Sequence, residues 1–216
     1  MARRVSDKTV ARLSAYRRVL SALAAKGNVN VYSHQLAKAA GATPAQVRRD
    51  LMCVGYTGSP NKGYDIAALT ESITEFLDGP TVQPIALVGV GNLGRAILAY
   101  FAGRNLNLRI TAAFDKDPEM PGRVFHGCRC YSIADAPTII PREGIRTAIL
   151  AVPAKEAQLV ADILLAAGVK GILNFAPAHL RVGLDVCVEN MDFTISLEKV
   201  AFFARTAAAS MESERT

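Results

Sequence analysis

Three features of the chain predict an α/β fold in two unlike parts. From residue 80 onward, apolar runs bounded by glycine or proline alternate with helix-length amphipathic stretches, as parallel strands joined by helices do. One such run, Pro84-Ile85-Ala86-Leu87-Val88, leads straight into Gly89-x-Gly91-x-x-Gly94 and the helix formers Ala96-Ile97-Leu98-Ala99. Charge, finally, is divided: residues 1–64 hold 11 Lys+Arg against 2 Asp+Glu, whereas residues 65–216 hold 14 against 17. Together these predict a basic winged-helix (helix-turn-helix) domain over residues 1–79, a Rossmann-like doubly wound parallel sheet over 80–194, and a separate C-terminal helix over 195–216.

Within the basic third, Val10, Leu13, Tyr16, Val19, Leu20 and Leu23 recur at helical period over residues 7–26, and Lys26-Gly27 ends that helix. Val29-Asn30-Val31-Tyr32 is a short extended piece. Ser33 is expected to cap a second helix, His34 to Ala40, which Gly41 breaks. Thr43 caps a third helix with Pro44 at its first position. Leu36, Ala40, Val47 and Leu51 can form the shared core of a helix-turn-helix, whose second helix enters the major groove. That helix carries Thr43, Gln46, Arg48 and Arg49. Glutamine and arginine can pair with base edges, and arginine also with phosphate. The alternative is an ordinary helical hairpin with solvated arginines; the local charge excess favours nucleic acid. The turn-rich stretch from Gly55 to Ile66 suits a short hairpin wing with Lys62 near its tip, followed by an amphipathic helix from Ala67 to Leu77.

The strand–turn–helix at 84–99 has the makings of a pyrophosphate cradle. Gly89 permits the turn, Gly91 lets a ligand touch the backbone, and Gly94 lets helix and strand pack closely, with Val90, Asn92 and Leu93 completing the loop. Leu108 to Asp115 reads as the second strand. Asp115 lies 21 positions past Gly94, where an acid suits a ribose 2′-hydroxyl and repels a 2′-phosphate, so NAD(H) is favoured over NADP(H). Lys116 complicates that corner and Asp117 offsets it. Further strands are expected at Arg129-Cys130-Tyr131, Thr147 to Val152, Gly171 to Phe175 and Val186-Cys187-Val188, with a helix from Pro153 to Ala167. Ligands sit at the carboxyl ends of such strands, which makes Ala151, Val152, Pro153 and Asn174 candidates. Asn174 reads equally as a turn cap, and Tyr100 as a core aromatic or a nicotinamide contact. The terminal helix is apolar nearly all round through Leu197, Val200, Ala201, Phe202 and Phe203. It must be buried on its own sheet or on a partner subunit.

Other functions are limited by what the chain carries. Its 216 residues are half hydrophobic, but its longest apolar runs are far too short to span a bilayer. The start, Met1-Ala2-Arg3-Arg4-Val5-Ser6-Asp7, is basic without the apolar block of a signal peptide, which points to the cytoplasm. Cys53, Cys128, Cys130 and Cys187 fit no zinc spacing, so no metal site is expected. They read as buried or incidental thiols, with Cys53 the candidate for redox chemistry. A dehydrogenase would need a substrate domain and a catalytic acid or base; His34, His126 and His179 offer none with a paired carboxylate, and no catalytic residue is assigned. A coenzyme A-binding domain and a cofactor-independent nucleoid-type binder are further alternatives, the first disfavoured by Asp115.

The stretches Gln46-Val47-Arg48-Arg49-Asp50-Leu51, Gly63-Tyr64-Asp65, Gly89-Val90-Gly91-Asn92-Leu93-Gly94, Ala113-Phe114-Asp115, Val152-Pro153-Ala154, Gly171-Ile172-Leu173-Asn174-Phe175-Ala176-Pro177 and Val188-Glu189-Asn190-Met191-Asp192 stand in the order found in the Rex family of redox-sensing transcriptional repressors. The chain resembles that family along nearly its whole length. The resemblance implies a homodimer that binds double-stranded operator DNA when NADH is low and releases it when NADH binds, so that the NADH/NAD⁺ ratio sets repression. It implies a terminal helix swapped between subunits near the partner's cofactor pocket, with Asp192 and Phe193 at its start and Tyr100 and Arg18 as their partners in alternative states. The DNA-contact set is then Ser33, Thr43, Gln46, Arg48, Arg49, Lys62 and Tyr64. The wing departs from the family pattern: Gly-Lys-Arg-Gly-Val-Gly-Tyr is replaced by Gly58-Ser59-Pro60-Asn61-Lys62-Gly63-Tyr64, with one basic residue for two and a proline at the tip.

Overall fold

The computed structural model describes residues 5–59, 62–103 and 107–213. Of the segments singled out above, Met1 to Arg4 and the wing residues Pro60 and Asn61 lie outside the described residues. The chain divides into two compact units, Met1–Val82 and Gln83–Thr216, just beyond Asp78-Gly79-Pro80.

The first unit comprises α1 (Asp7–Ala25), β1 (Asn30–Val31), α2 (Ser33–Ala40), α3 (Pro44–Cys53), β2 (Tyr64–Asp65) and α4 (Ile66–Asp78). Its core follows the helical period: Leu13, Tyr16 and Leu20 from α1 meet Leu36 and Ala37 from α2, Val47 and Leu51 from α3, and Leu69 and Ile73 from α4. Gly41 ends α2 in the left-handed conformation (φ 62°), which spares it the Cβ clash other residues would meet there. Thr43 caps α3 as expected, its Oγ accepting the Gln46 N–H. Ser33 is not the cap of α2. Tyr32 takes that place, donating its N–H to Gln35 Oε1 at 2.8 Å, and Ser33 becomes the first helical residue. Lys62 sits in the turn of a small wing closed by reciprocal backbone bonds between Ser59 and Gly63, and β2 pairs antiparallel with β1.

One polar tie fixes the middle of this core. Asp50 of α3 is buried, and Arg12 of α1 donates Nε and Nη2 to its two oxygens, both at 2.7 Å. The Tyr16 hydroxyl donates to the same carboxylate at 3.0 Å. Burial, and then this bond to Asp50, push the Tyr16 phenol up to about 12. A second pair, Arg17 to Asp78 at 2.7 Å, joins α1 to the end of α4.

The second unit is a seven-stranded sheet, built from β3 (Gln83–Val88), β4 (Leu108–Asp115), β5 (Val124–Phe125), β6 (Cys128–Ser132), β7 (Thr147–Leu150), β8 (Gly171–Asn174) and β9 (Cys187–Asn190). The spatial order is β5-β6-β4-β3-β7-β8-β9, parallel throughout except for the β5–β6 hairpin. Alternate residues of each strand enter different layers. Ala86, Val88, Ala112 and Phe114 join one core with α6 (Ala136–Arg142) and α7 (Ala154–Ala166); Ile85, Leu87 and Ala113 join the other with Ile97 and Leu98 of α5 (Asn92–Phe101). Two of these elements lie outside the sequence expectation, α6 and β5. The latter is joined to β6 by His126-Gly127, both at positive φ (49° and 81°), the backbone of a type I′ hairpin turn. His126 is thereby committed to a turn. The terminal helix, α8, spans Phe193–Ser213.

Removing the Asp50 charge leaves the Arg12 guanidinium facing a weaker acceptor. Asp50→Asn is expected to destabilise the first unit by about 2 kcal/mol, less than for a fully enclosed pair because Arg12 keeps contact with solvent. Denaturant unfolding of the variant against the wild type measures it; a loss under about 0.5 kcal/mol would remove the tie from the stability of this unit.

Candidate functional site

After β3 the chain crosses through α5 to β4 on one side, and β7 lies on the other, so the carboxyl ends of β3 and β7 flank a topological switch point. A cleft of about 440 Å³ opens there. Gly89 turns the chain at φ 95°, and a Cβ on it would strike the carbonyl oxygen of Ala151. Gly94 is buried in the first turn of α5, where a Cβ would run into the carbonyl oxygen of Gly89. At Gly91 a Cβ would meet nothing within 4 Å. The three glycines therefore differ: two let helix and strands touch, and the third leaves bare backbone facing open space. The first amides of α5 have no partner within the helix and point with its positive end toward the cleft. Such a surface fits a pyrophosphate.

Asp115 ends β4 and lines the cleft. Its Oδ2 accepts the Val90 N–H at 2.7 Å and its Oδ1 accepts the Asp117 N–H at 3.0 Å. Each carboxylate oxygen keeps a further acceptor position for a hydroxyl. Val90 accordingly serves the site from behind, its side chain buried and its N–H spent on Asp115. Lys116 also lines the cleft, and the acid that offsets it is not Asp117 but Glu156, on the first turn of α7, at 2.5 Å. Asp117 instead accepts the Glu119 N–H.

Of the predicted cofactor residues, Gly89, Gly91, Asn92, Leu93, Asp115, Lys116, Ala151, Val152 and Pro153 line this one cleft. Val88, Ile133, Glu156 and Val160 line it too and were not legible as site residues. Ile133 follows the end of β6, the neighbour of β4, so the sheet order is the signal that finds it. Asn174 stands apart. It is 1% exposed, donates both Nδ2 hydrogens to the Ala178 carbonyl and Asn190 Oδ1, and accepts the Ala176 N–H on Oδ1. Its side chain closes the loop after β8 and ties it to β9, which is the turn-cap role. Tyr100 lies exposed on α5 against the edge of Phe101, away from the cleft lining. Phe193 opens α8 with its ring 5.8 Å from that of Phe175, and Asp192 caps the helix by accepting the Ile195 N–H. His179 shares a small cleft of about 300 Å³ with Asp192 and Lys199.

The nucleic-acid candidates gather on α3 and its surroundings. Gln46, Arg48 and Arg49 are exposed, as is Lys62. Arg48 Nη1 donates to Ser33 Oγ at 3.3 Å, linking the openings of two helices. Gln46 uses its Oε1 to accept the Thr43 N–H at 2.8 Å, completing a capping box. Tyr64 packs in the core, 9% exposed, its ring 6.2 Å from that of Tyr56, because pairing of β2 with β1 turns it inward. Cys53 shares α3 and gives its thiol to the Arg49 carbonyl at 3.4 Å. Burial pushes the Cys128 thiol up to about 11 and raises that of Cys130 as well, which keeps both protonated.

Two stretches of the chain match known family models. Residues 82–178 match the family model described as a CoA binding domain, and residues 4–51 that described as a putative DNA-binding protein N-terminus. The redox-sensing transcriptional repressor Rex of Brevibacillus brevis is 40% identical over 200 residues, covering 93% of this chain and 97% of its own. That of Listeria welshimeri is 36% identical over 209 residues, 97% of each. Among solved structures, RSP in complex with β-NAD⁺ and operator DNA superposes with a TM-score of 0.86 at 30% identity over 97% of both chains. RSP in complex with β-NADH gives 0.84 at 29%, over 97% of this chain and 98% of that one. The chain belongs to the Rex family of redox-sensing transcriptional repressors.

Proposed function

We propose that the protein is a cytoplasmic repressor that binds operator DNA as a homodimer when NADH is low and leaves it when NADH is bound. It is a regulator, not an enzyme. The observation that carries the reading is the Asp115 carboxylate, bonded to the glycine turn at a switch-point cleft, in a chain whose other unit is a basic helix-turn-helix. Residues 1–79 would bind DNA, 80–194 the cofactor, and 195–216 the second subunit. Exposure supports the last assignment: Leu197, Val200 and Phe203 of α8 are 66–69% exposed in the single chain, and such an apolar helix needs cover. Covering it with the equivalent region of a second copy, by a swap that brings Phe193 and Asp192 toward the partner's cleft, meets that need. Arg18, Tyr100 and Asp192 are then the residues whose pairings differ between the two states.

Gly91 and the first amides of α5 would hold the pyrophosphate, and Asp115 the ribose next to it. The nicotinamide supplies the signal, since it is charged and planar when oxidised and neutral when reduced. An apolar, closed pocket around the ring would penalise its positive charge by desolvation. Each tenfold preference for the reduced form requires about 1.4 kcal/mol of such discrimination. That difference moves the dimer only if the cleft differs between the DNA-bound and free shapes. Two α3 helices on a two-fold axis must reach half-sites in successive major grooves, so a modest rotation of one subunit spoils the register.

In a mobility-shift titration on a palindromic duplex, NADH is expected to weaken binding far more than NAD⁺ does. Equal effects would sink the sensing mechanism while leaving DNA binding intact. Asp115→Ala should lessen discrimination against NADPH, read as the ratio of Kd values; an unchanged ratio would remove Asp115 from the ribose. Arg49→Ala should weaken binding across duplex sequences and lower the slope of log K against log salt by about 1, as the loss of one phosphate contact does.

A further inference from the structure

We propose that Glu156 is a specificity-determining residue that keeps 2′-phosphorylated dinucleotides out of the cleft by neutralising Lys116. The inference rests on the NAD(H) reading above and deepens it. Taken alone, the sequence of this corner is ambiguous. Asp115 should reject a 2′-phosphate, but the next residue is a lysine, and a lysine just past the second strand is an attractive partner for one. The fold resolves the conflict with a residue 40 positions along the chain.

Lys116 and Glu156 occupy opposite lips of the cleft, one at the end of β4 and the other on the first turn of α7. Their ion pair spans the mouth. The two ends are unequal: the Lys116 side chain is 66% exposed, the Glu156 side chain only 18%. The carboxylate is the fixed member. Its backbone N–H is held by the Pro153 carbonyl at 2.9 Å, and it sits at the positive end of α7, which favours an anion. The ammonium is the mobile member, on a long flexible stem that could reach a neighbouring ribose if released. Lys116 pairs with Glu156, while Asp117 accepts the Glu119 N–H on its Oδ1.

The charges at this corner are thus Asp115, Lys116 and Glu156, one cation between two carboxylates. A 2′-phosphate would bring close to two further negative charges to a site already negative on balance. Removing the Glu156 charge frees Lys116 beside the ribose position and takes away one repelling carboxylate. A purely mechanical role for the pair, as a tie between the lips, would change the affinity for phosphorylated and unphosphorylated cofactor together. Only the ratio of the two reports the charge.

The experiment titrates wild type, Glu156→Gln, Lys116→Gln and the double variant with NADH and NADPH, following the fluorescence of the reduced nicotinamide. Glu156→Gln is expected to shift the NADPH-to-NADH affinity ratio toward NADPH by about tenfold, and Lys116→Gln to shift it the other way. In the Lys116→Gln background the effect of Glu156→Gln should fall to less than about half, because the cation it liberates is missing. A ratio in Glu156→Gln within about twofold of wild type would overturn the proposal, as would a full shift that persists without Lys116. Failure of the wild type to bind NADH would instead overturn the functional reading on which the proposal rests.

Discussion

The contact on which the cofactor unit depends is the approach of α5 to the end of β3. With no side chain at Gly94, the helix comes down onto the Gly89 carbonyl; with none at Gly89, that turn comes against the Ala151 carbonyl at the end of β7. Three elements are drawn to one point, and everything chemical about the cleft follows from it. The helix amides face the opening. Val90 is buried with its N–H aimed at Asp115, so the same turn that presents backbone to a pyrophosphate also positions the carboxylate beside it. A methyl group at either glycine would push these pieces apart by more than side-chain motion could absorb, since the atoms opposed are backbone.

The two units use charge in contrasting ways. In the DNA-binding unit the acids are few, and the one on α3, Asp50, is consumed internally by Arg12 and Tyr16. The outward-facing residues of that helix are left with an unopposed positive field, which is what a polyanion requires. In the cofactor unit the cation lining the cleft is held in check, Lys116 by Glu156. A basic surface for phosphates in the mass and a guarded cleft for one dinucleotide thus coexist in a chain of modest net charge.

Much of this was legible in the sequence because strand and helix periods write the burial of each side directly. The alternation Ile85-Ala86-Leu87-Val88 assigns residues to two layers, and the glycine spacing locates the turn between them. Asp115 was legible for the same reason, standing at the end of the next strand. What could not be read depends on contacts between distant segments. Nothing near Glu156 announces a cleft residue, because its partner lies just past the end of β4, far off in the chain. Tyr64 sits among turn residues, and only the pairing of β2 with β1 decides that it faces inward. Asn174 allowed two roles, and the position of Asn190 on the adjacent strand commits its amide to the loop. Ser33 and Tyr32 compete for one cap, and Gln35 settles the matter by reaching back to Tyr32.

The capping box of α3 has a bearing on how bases are chosen. Gln46, one of the residues proposed to meet a base edge, is also the residue whose oxygen closes the helix end by accepting the Thr43 N–H. Helix and DNA would then share one carbonyl oxygen, which has a second lone pair beside the one given to the cap. A base that asks only for donors, such as one presenting two acceptors in the major groove, can be met by the Nε2 hydrogens with the helix end intact. Adenine, which asks a glutamine for its oxygen and its nitrogen together, would have to reach the remaining lone pair from the direction the cap leaves open. Selectivity at this position would in that sense be partly a property of the protein's own backbone: the cap fixes the direction in which the amide can be offered to a base.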